Sequence, residues 1–395
     1  MSSNWQTKKL GGICEVVGGG TPDTKAPQYW GNDIYLITPK DLGKLDNFEI
    51  RTTERKISKL GLKMSSAKIL PPGSVILSSR APIGHVAINT VEMVTNQGCR
   101  NFICSKEIFN KYLYYFLKKN VNLLNELGSG STFKEISGST LKTIEISYPD
   151  IDEQHRIVKI LDEVFTAIAK AKENIEKNLQ YSHDLFESYL QSTFDNSGVN
   201  WERKFLGEVI QKTETINPLN NPNKEFTYID VSSVNKETLS IENTSLLKGK
   251  DAPSRARKLV KTGDIIFATI RPTLRRIAII SEELNKEICS TGYFVLRTNN
   301  QLNNKFLFYF LQTKSFNGIM KKLQKGASYP AVTDREVKNQ IINFPKSLSD
   351  QKDIVMKLDS LAINTKELEM IYKQKLALLE ELKKSLLHQA FTGQL

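Results

Sequence analysis

Residues 153–193 read as one helix with a single apolar stripe, and the stripe returns 197 residues later. Ile157, Leu161, Val164, Ile168, Ala171 and Ile175 are spaced +4, +3, +4, +3, +4, the period of a coiled-coil seam. Asn178 and Ser182 interrupt it, Leu185 and Tyr189 resume it, and no Pro or Gly falls inside. At about 1.5 Å per residue such a rod is roughly 60 Å long. A rod with one apolar seam needs a partner helix in water. Adding 197 gives residues 350–390, where Ile354, Leu358, Leu361, Leu368, Tyr372, Leu379, Leu382 and Leu386 share one stripe. Ten positions are identical between 152–194 and 349–391. They are Gln154/Gln351, Ile157/Ile354, Val158/Val355, Leu161/Leu358, Asp162/Asp359, Leu179/Leu376, Leu185/Leu382, Ser188/Ser385, Leu190/Leu387 and Phe194/Phe391, clustered at the two ends of the rod.

The segments before the rods repeat as well. Trp201 and Leu206-Gly207 follow Trp5 and Leu10-Gly11; the strand after Gly263 follows the one after Gly73; Arg271-Pro272 falls beside Ala81-Pro82. Ser290-Thr291-Gly292 matches Asn96-Gln97-Gly98, and the aromatic run 306–311 matches 112–117. Gly326-Ala327-Ser328 matches Gly130-Ser131-Thr132, and Phe344-Pro345 matches Tyr148-Pro149. Seven landmarks in one order make a tandem duplication. In the first copy, 34–38, 74–78, 85–88 and 141–148 read as strands and 112–117 as a helix. Gly18-Gly19-Gly20 reads as a flexible turn, since no Gly-Lys-Ser/Thr follows to make a phosphate loop.

The expected architecture is α+β. Two similar globular domains, 1–150 and 198–348, are separated by a pair of long antiparallel helices, 151–197 and 349–395, in a pseudo-two-fold duplication. Antiparallel pairing within the chain sends the globular segments to opposite ends. The alternative is a coiled coil between two chains, against which the interrupted middle of the first rod argues. Charge divides the same way: the globular segments carry +6 and +10, the rods −4 and 0. A polyanion would meet the globular segments. Duplex DNA rises about 34 Å per turn, so two heads a rod apart suit two separated half-sites. Cys14, Cys99, Cys104 and Cys289 form no CxxC, and no apolar run is long enough for a membrane span. These point to a cytoplasmic protein with free thiols.

Catalytic patterns are missing. Asn217-Pro218-Leu219 and Asn221-Pro222-Asn223 do not make a methyltransferase tetrad, and Pro149-Asp150 and Glu336-Val337-Lys338 lie in different halves. His85, His155, His183 and His388 lack metal-ligand spacing. The reading is a non-catalytic DNA-binding adaptor, with a stand-alone DNA-modifying or DNA-cleaving enzyme as the alternative. DNA contacts are expected from polar and basic side chains on loops beside strands. In the first domain these are Arg80, Asn96, Gln97, Arg100, Ser131, Thr132 and Lys134. In the second they are Ser254, Arg255, Arg257, Lys258, Arg271, Arg275, Arg276 and Ser328. Arg80 and Arg271 have a second reading as groups that stabilise their own loops. Arg275 and Arg276, unmatched in the first half, are favoured for specificity.

The chain resembles the specificity (S) subunit of type I restriction-modification systems along nearly its whole length. The resemblance rests on Trp-x3-Lys-Leu-Gly near the start and on Gly-Ser-Val-Ile-Leu-Ser-Ser-Arg-Ala-Pro-Ile-Gly. It rests also on Tyr-Leu-Tyr-Tyr-Phe-Leu, Gly-Ser-Gly-Ser-Thr, Asp-Glu-Gln-His-Arg-Ile-Val and the closing Leu-Leu-His-Gln-Ala-Phe-Thr-Gly-Gln-Leu. It implies two target recognition domains, each reading half of a split site on double-stranded DNA, with the helices setting the spacer. It also implies docking of two modification (methyltransferase) subunits, which restriction subunits join. S-adenosylmethionine, ATP and Mg²⁺ would then sit on those partners, with no cofactor on this chain. The second half departs from the pattern, having Ile270-Arg271-Pro272-Thr273-Leu274 in place of Ser-Arg-Ala-Pro-Ile-Gly.

Overall fold

The computed structural model describes residues 5–130, 134–196 and 198–395. The chain forms two compact units, Met1–Ile175 with Gln374–Leu395 (unit 1) and Glu176–Lys373 (unit 2). Each unit therefore holds a globular part and one half of each long helix, Ile151–Asp195 and Leu348–Ala390.

In unit 1, strand Gln6–Lys9 pairs antiparallel with Glu145–Tyr148, directly before the first long helix. A five-stranded sheet runs in the order Cys14–Gly18, Cys99–Cys104, Val75–Ser78, Val86–Asn89, Glu49–Ile50, antiparallel except for the last pair. A three-stranded sheet holds Lys56–Ile57, Trp30–Ile37 and Met93–Thr95. Val75–Ser78 and Val86–Asn89 are buried at every residue. The aromatic helix is Asn110–Lys119, with Tyr112, Leu113, Tyr115, Phe116 and Leu117 in the core.

Two local expectations change. Residues 141–148 are not one strand: helix Gly138–Thr143 precedes strand Glu145–Tyr148. The Ser137 hydroxyl accepts the Thr140 amide at 3.0 Å and starts that helix. The turn at Gly18-Gly19-Gly20 is a close backbone approach, not a loose link. The Gly20 amide donates to the Thr95 carbonyl at 2.9 Å, and a Cβ on Gly19 would fall 1.9 Å from the Asn96 carbonyl oxygen.

Unit 2 repeats the plan. Trp201–Phe205 pairs antiparallel with Ile341–Pro345. A four-stranded antiparallel sheet runs Ile210–Gln211, Tyr293–Thr298, Ile265–Ala268, Ile277–Ile279. A second sheet runs Ser245–Lys248, Glu225–Ile229, Ile288–Ser290, Ala256–Leu259. The turns that launch the central strands use Gly73 and Gly263, at φ +88° and +84°, where a side chain would strain the backbone.

The identical helix positions build the same anchor in both units. In unit 1 the Gln154 side chain accepts the Phe109 amide at 2.8 Å and donates to the carbonyls of Glu107 and Pro149 at 2.9 Å. In unit 2 Gln351 accepts the Asn303 amide at 2.7 Å and donates to Gln301 and Pro345 at 2.9 and 2.7 Å. Asp162 takes the Tyr115 hydroxyl and the Lys111 ammonium, both at 2.6 Å; Asp359 takes Tyr309 at 2.7 Å and Lys305 at 2.8 Å. Burial, then the Asp162 bond, pushes the Tyr115 phenol well above its ordinary value, so it stays a donor. The end of the other helix completes each anchor. Phe391 packs 4.7 Å from Tyr112 in unit 1, and Phe194 packs 4.9 Å from Phe306 in unit 2. Within unit 1, Ile157, Val158 and Leu161 share a core with Leu387, Ala390 and Phe391. Within unit 2, Leu190 and Phe194 share one with Val355 and Leu358. The start of one helix thus meets the end of the other, which is antiparallel pairing within one chain.

The seam itself differs from expectation beyond Ile175. The inward positions continue through Leu179, Ser182, Phe186, Leu190 and Phe194, whereas Leu185 and Tyr189 are 62% and 40% exposed. Ser182 does not break the seam: it is buried and its hydroxyl donates to the Leu179 carbonyl at 2.7 Å. In the second helix Thr365, Glu369, Tyr372, Leu376 and Leu379 turn inward, while Leu368 and Leu382 are 40% and 46% exposed. A strict heptad drifts by about 20° per repeat against a straight helix, so a stripe extrapolated from one end rotates off the true contact face. Leu161→Ala or Leu358→Ala, both at fully buried sites, should each destabilise the chain by about 2–5 kcal/mol. Leu185→Ala and Leu368→Ala should stay within about 0.5 kcal/mol of the parent. Urea unfolding of the four variants distinguishes this register from the fixed heptad.

Candidate nucleic-acid interface

Three loops meet at the edge of the central sheet in unit 1. The Ser79 amide donates to the Gly98 carbonyl at 2.8 Å and the Ile136 amide to the Ser79 carbonyl at 3.0 Å. These bonds bring together Arg80, the 96–98 turn with Arg100, and Lys134. Glu135 is the hub: Arg100 Nη2 donates to it at 2.9 Å and Arg80 Nη1 lies 3.9 Å away. Arg100 Nη1 also donates to the carbonyls of Gln97 and Cys99, each at 3.1 Å. The Gln97 amide oxygen accepts the Thr21 hydroxyl at 2.5 Å, and Asn96 Oδ1 accepts the Gly98 amide at 3.0 Å. Arg80, Gln97 and Lys134 are exposed; Arg100 and Asn96 are half-buried. Arg100 and Asn96 therefore hold the loops, and Arg80, Gln97 and Lys134 present exposed polar surface. Ser131 and Thr132 lie outside the described residues.

Unit 2 brings the equivalent loops together. The Thr269 amide donates to Gly292 and the Val332 amide to Thr269, both at 2.9 Å, and the Thr291 amide donates to Arg255 at 2.8 Å. Ser254, Arg255, Arg271 and Ser328 are exposed there. Arg271 sits at φ +49°, its guanidinium bonded to the Ser328 carbonyl at 3.2 Å and 4.9 Å from the Tyr329 ring centroid. Strand register pairs Ala268 with Arg276 as it pairs Ser78 with His85. Arg271, at φ +49°, then answers to Ala81, at φ +38°, rather than to Arg80.

The other basic residues are engaged internally. Lys258 donates to the Tyr293 carbonyl at 2.6 Å and to Asp334 at 3.0 Å. Arg257 bonds the Ala256 carbonyl at 3.0 Å. Arg276 reaches the Val231 carbonyl at 2.7 Å, and Arg275 binds Glu187 of the long helix at 3.1 Å. The two residues favoured for specificity thus bond to their own unit. Sequence reasoning missed Glu135, which only pairing geometry reveals, and Tyr329, whose ring is 71% exposed beside Arg271.

Residues 2–179 and 198–380 match the family model described as the type I restriction modification DNA specificity domain. The chain belongs to this family. It is 30% identical to the type I restriction enzyme MjaIX specificity subunit of Methanocaldococcus jannaschii, over 94% of this chain and 90% of that one. It is 21% identical to the EcoKI specificity subunit of Escherichia coli K12, over 100% of this chain and 90% of that one. Among solved structures, a chain of a type I R-M system superposes with a TM-score of 0.78 at 18% identity, covering 100% of this chain and 99% of the other. The HsdS subunit of Thermoanaerobacter tengcongensis gives 0.67 at 17% identity, covering 100% and 98%. The fold is shared at that distance, and the chain is a specificity subunit, a DNA-recognition component rather than a catalytic one. Among the described residues no helix is long and apolar enough to cross a membrane.

Glu187 titrates in a predictable direction. Burial disfavours its charged form, but hydrogen bonds from Lys314 at 2.9 Å and Arg275 at 3.1 Å outweigh that and hold the carboxyl below its ordinary range. A depressed folded-state value means its stabilisation is complete above the unfolded value, about 4.3, and is lost as the pH falls through the folded one. Glu187→Gln should therefore flatten part of the acid limb of a Tm–pH profile and leave the slope above pH ~6 unchanged.

Proposed function

We propose that residues 1–150 and 198–348 are two target recognition domains that each read one half of a bipartite site on double-stranded DNA. The helices set the spacer between the half-sites. The observation that carries this reading is the contrast within each unit: anchors built from identical residues, and loops built from different ones. In the first domain Arg80, Gln97 and Lys134 are the contacts of choice, with Ser131 and Thr132 retained as candidates. In the second they are Ser254, Arg255, Arg271 and Ser328. Arg100, Asn96, Arg257, Lys258, Arg275 and Arg276 support the reading loops.

The helices also dock two copies of a modification (methyltransferase) subunit, and restriction subunits join that assembly in the cytoplasm. Support comes from an outward stripe that repeats. Tyr181 and Leu185 are 64% and 62% exposed in one helix, and their counterparts Leu378 and Leu382 are 53% and 46% exposed in the other. Leu185 and Leu382 are an identical pair facing away from both cores, which suits the same partner bound twice. In unit 2 the stripe borders a groove of about 660 Å³ lined by Leu185, Tyr189, Met356 and Leu361. S-adenosylmethionine, ATP and Mg²⁺ belong to the partners.

Replacing residues 1–150 by the same segment of another family member should change one half-site and leave the other intact. Footprinting and mapping of methylated bases in cells carrying the hybrid read this directly; a change in both half-sites overturns the assignment. The double variant Leu185→Ala/Leu382→Ala should keep the parent's melting temperature and lose co-purification with the modification subunit.

A further inference from the structure

Each unit has a cleft beside the hairpin loop, the end of the aromatic helix and a long helix, and the two clefts differ in size and in how their cations are paired. In unit 2 it encloses about 120 Å³ and is lined by Phe186, Glu187, Arg275, Gln312 and Lys314. Glu187 lines it and pairs with both Arg275 and Lys314. The offset of 197 between the helices puts Lys383 and Lys384 of unit 1 where unit 2 has Phe186 and Glu187. Lys118 answers to Gln312, Gly84 to Arg275 and Asn120 to Lys314. The unit 1 cleft is open, about 730 Å³, and is lined by Lys118, Lys383, Lys384 and His85 among others.

Its cations exceed its acids. Of the three carboxylates in the cleft, Asp162 is taken by Lys111 and Tyr115, and Glu380 faces Lys172 at 3.5 Å. Asp46 is the third, against Lys118, Lys383 and Lys384. None of these three lysines has a carboxylate within ion-pair distance among the described residues. Lys118 is held below its ordinary value first by burial and then by the neighbouring Lys383 ammonium. His85 ends the same hairpin loop that begins at Arg80, so the cleft adjoins the proposed reading face.

We propose that the unit 1 cleft receives a backbone phosphate of the DNA, held by Lys118, Lys383 and Lys384, whereas in unit 2 Glu187 occupies the equivalent place and keeps it closed. The inference rests on the DNA-reading function proposed above. It makes the two recognition domains unequal: one gains a phosphodiester contact from the long helix, and in the other the cations of the cleft are already paired with Glu187. A phosphate suits the site better than an acidic protein segment because a duplex lying on the adjoining loops brings its backbone there without a further partner.

The test uses the full chain and a fluorescent duplex of mixed sequence, with affinity measured across a salt series. Each phosphate neutralised contributes a slope of about −0.9 in log K against log salt. Lys384→Glu, which copies unit 2, should make the slope shallower by about 0.9, beyond any change from Lys352→Glu, an equal charge reversal at an exposed site elsewhere on the helix. Glu187→Gln should steepen it by freeing Arg275 and Lys314. A Lys384→Glu slope equal to that of the Lys352→Glu control overturns the proposal. So does a variant whose DNA slope is unchanged but which no longer co-purifies with the modification subunit, since the cleft is then a protein dock. If the parent chain binds no DNA at all, the function proposed above fails first.

Discussion

Two buried glutamines hold the molecule together. Gln154 and Gln351 each sit with no exposed surface at the root of a long helix, and each spends its amide on one backbone N–H and two backbone carbonyls of the adjoining domain. A buried donor or acceptor left unsatisfied costs about 1–3 kcal/mol, so losing this amide would strand one N–H and two carbonyls at the start of the helix. The aspartate two turns later adds a phenol and an ammonium. Together these groups fix the angle at which a helix leaves its domain, without using any residue of the loops that face outward.

That separation explains what was legible in the sequence. The duplication, the helix pair and the terminal position of the identities could be read directly, because Ile157, Leu161, Leu190 and Phe194 serve packing that recurs in both units. The central strands and the aromatic helix were equally plain, since Val75–Ser78 and the buried face of Asn110–Lys119 carry apolar periods. Residues 141–148 were misread because a serine cap outweighs the strand propensity that follows it. The middle of the seam was misread because Leu185 and Leu382 look like core residues but face outward, and Ser182 and Glu369 take inward positions.

The internal pairing of the candidate contact residues was less legible for a different reason. Basic side chains on loops are easy to find, but whether a guanidinium is free depends on a partner distant in sequence. Arg80 and Arg275 lie on equivalent hairpin loops of the two units. Arg275 meets Glu187, 88 positions away, and Arg80 only grazes Glu135. Arg100 reads in the sequence as a loop cation, and in the structure Glu135 and two carbonyls converge on it. No local spacing encodes such convergence.

Unit 2 is built from an unbroken stretch, 176–373, while unit 1 needs Leu387, Ala390 and Phe391 to complete its core. Domains generally fold as units during synthesis. On the ribosome, then, the order of completion is the reverse of the order of translation. The later-encoded unit has all its parts first, and the earlier one waits with an unsealed aromatic face at Tyr112 and Phe116 until the tail that carries Phe391 emerges from the exit tunnel.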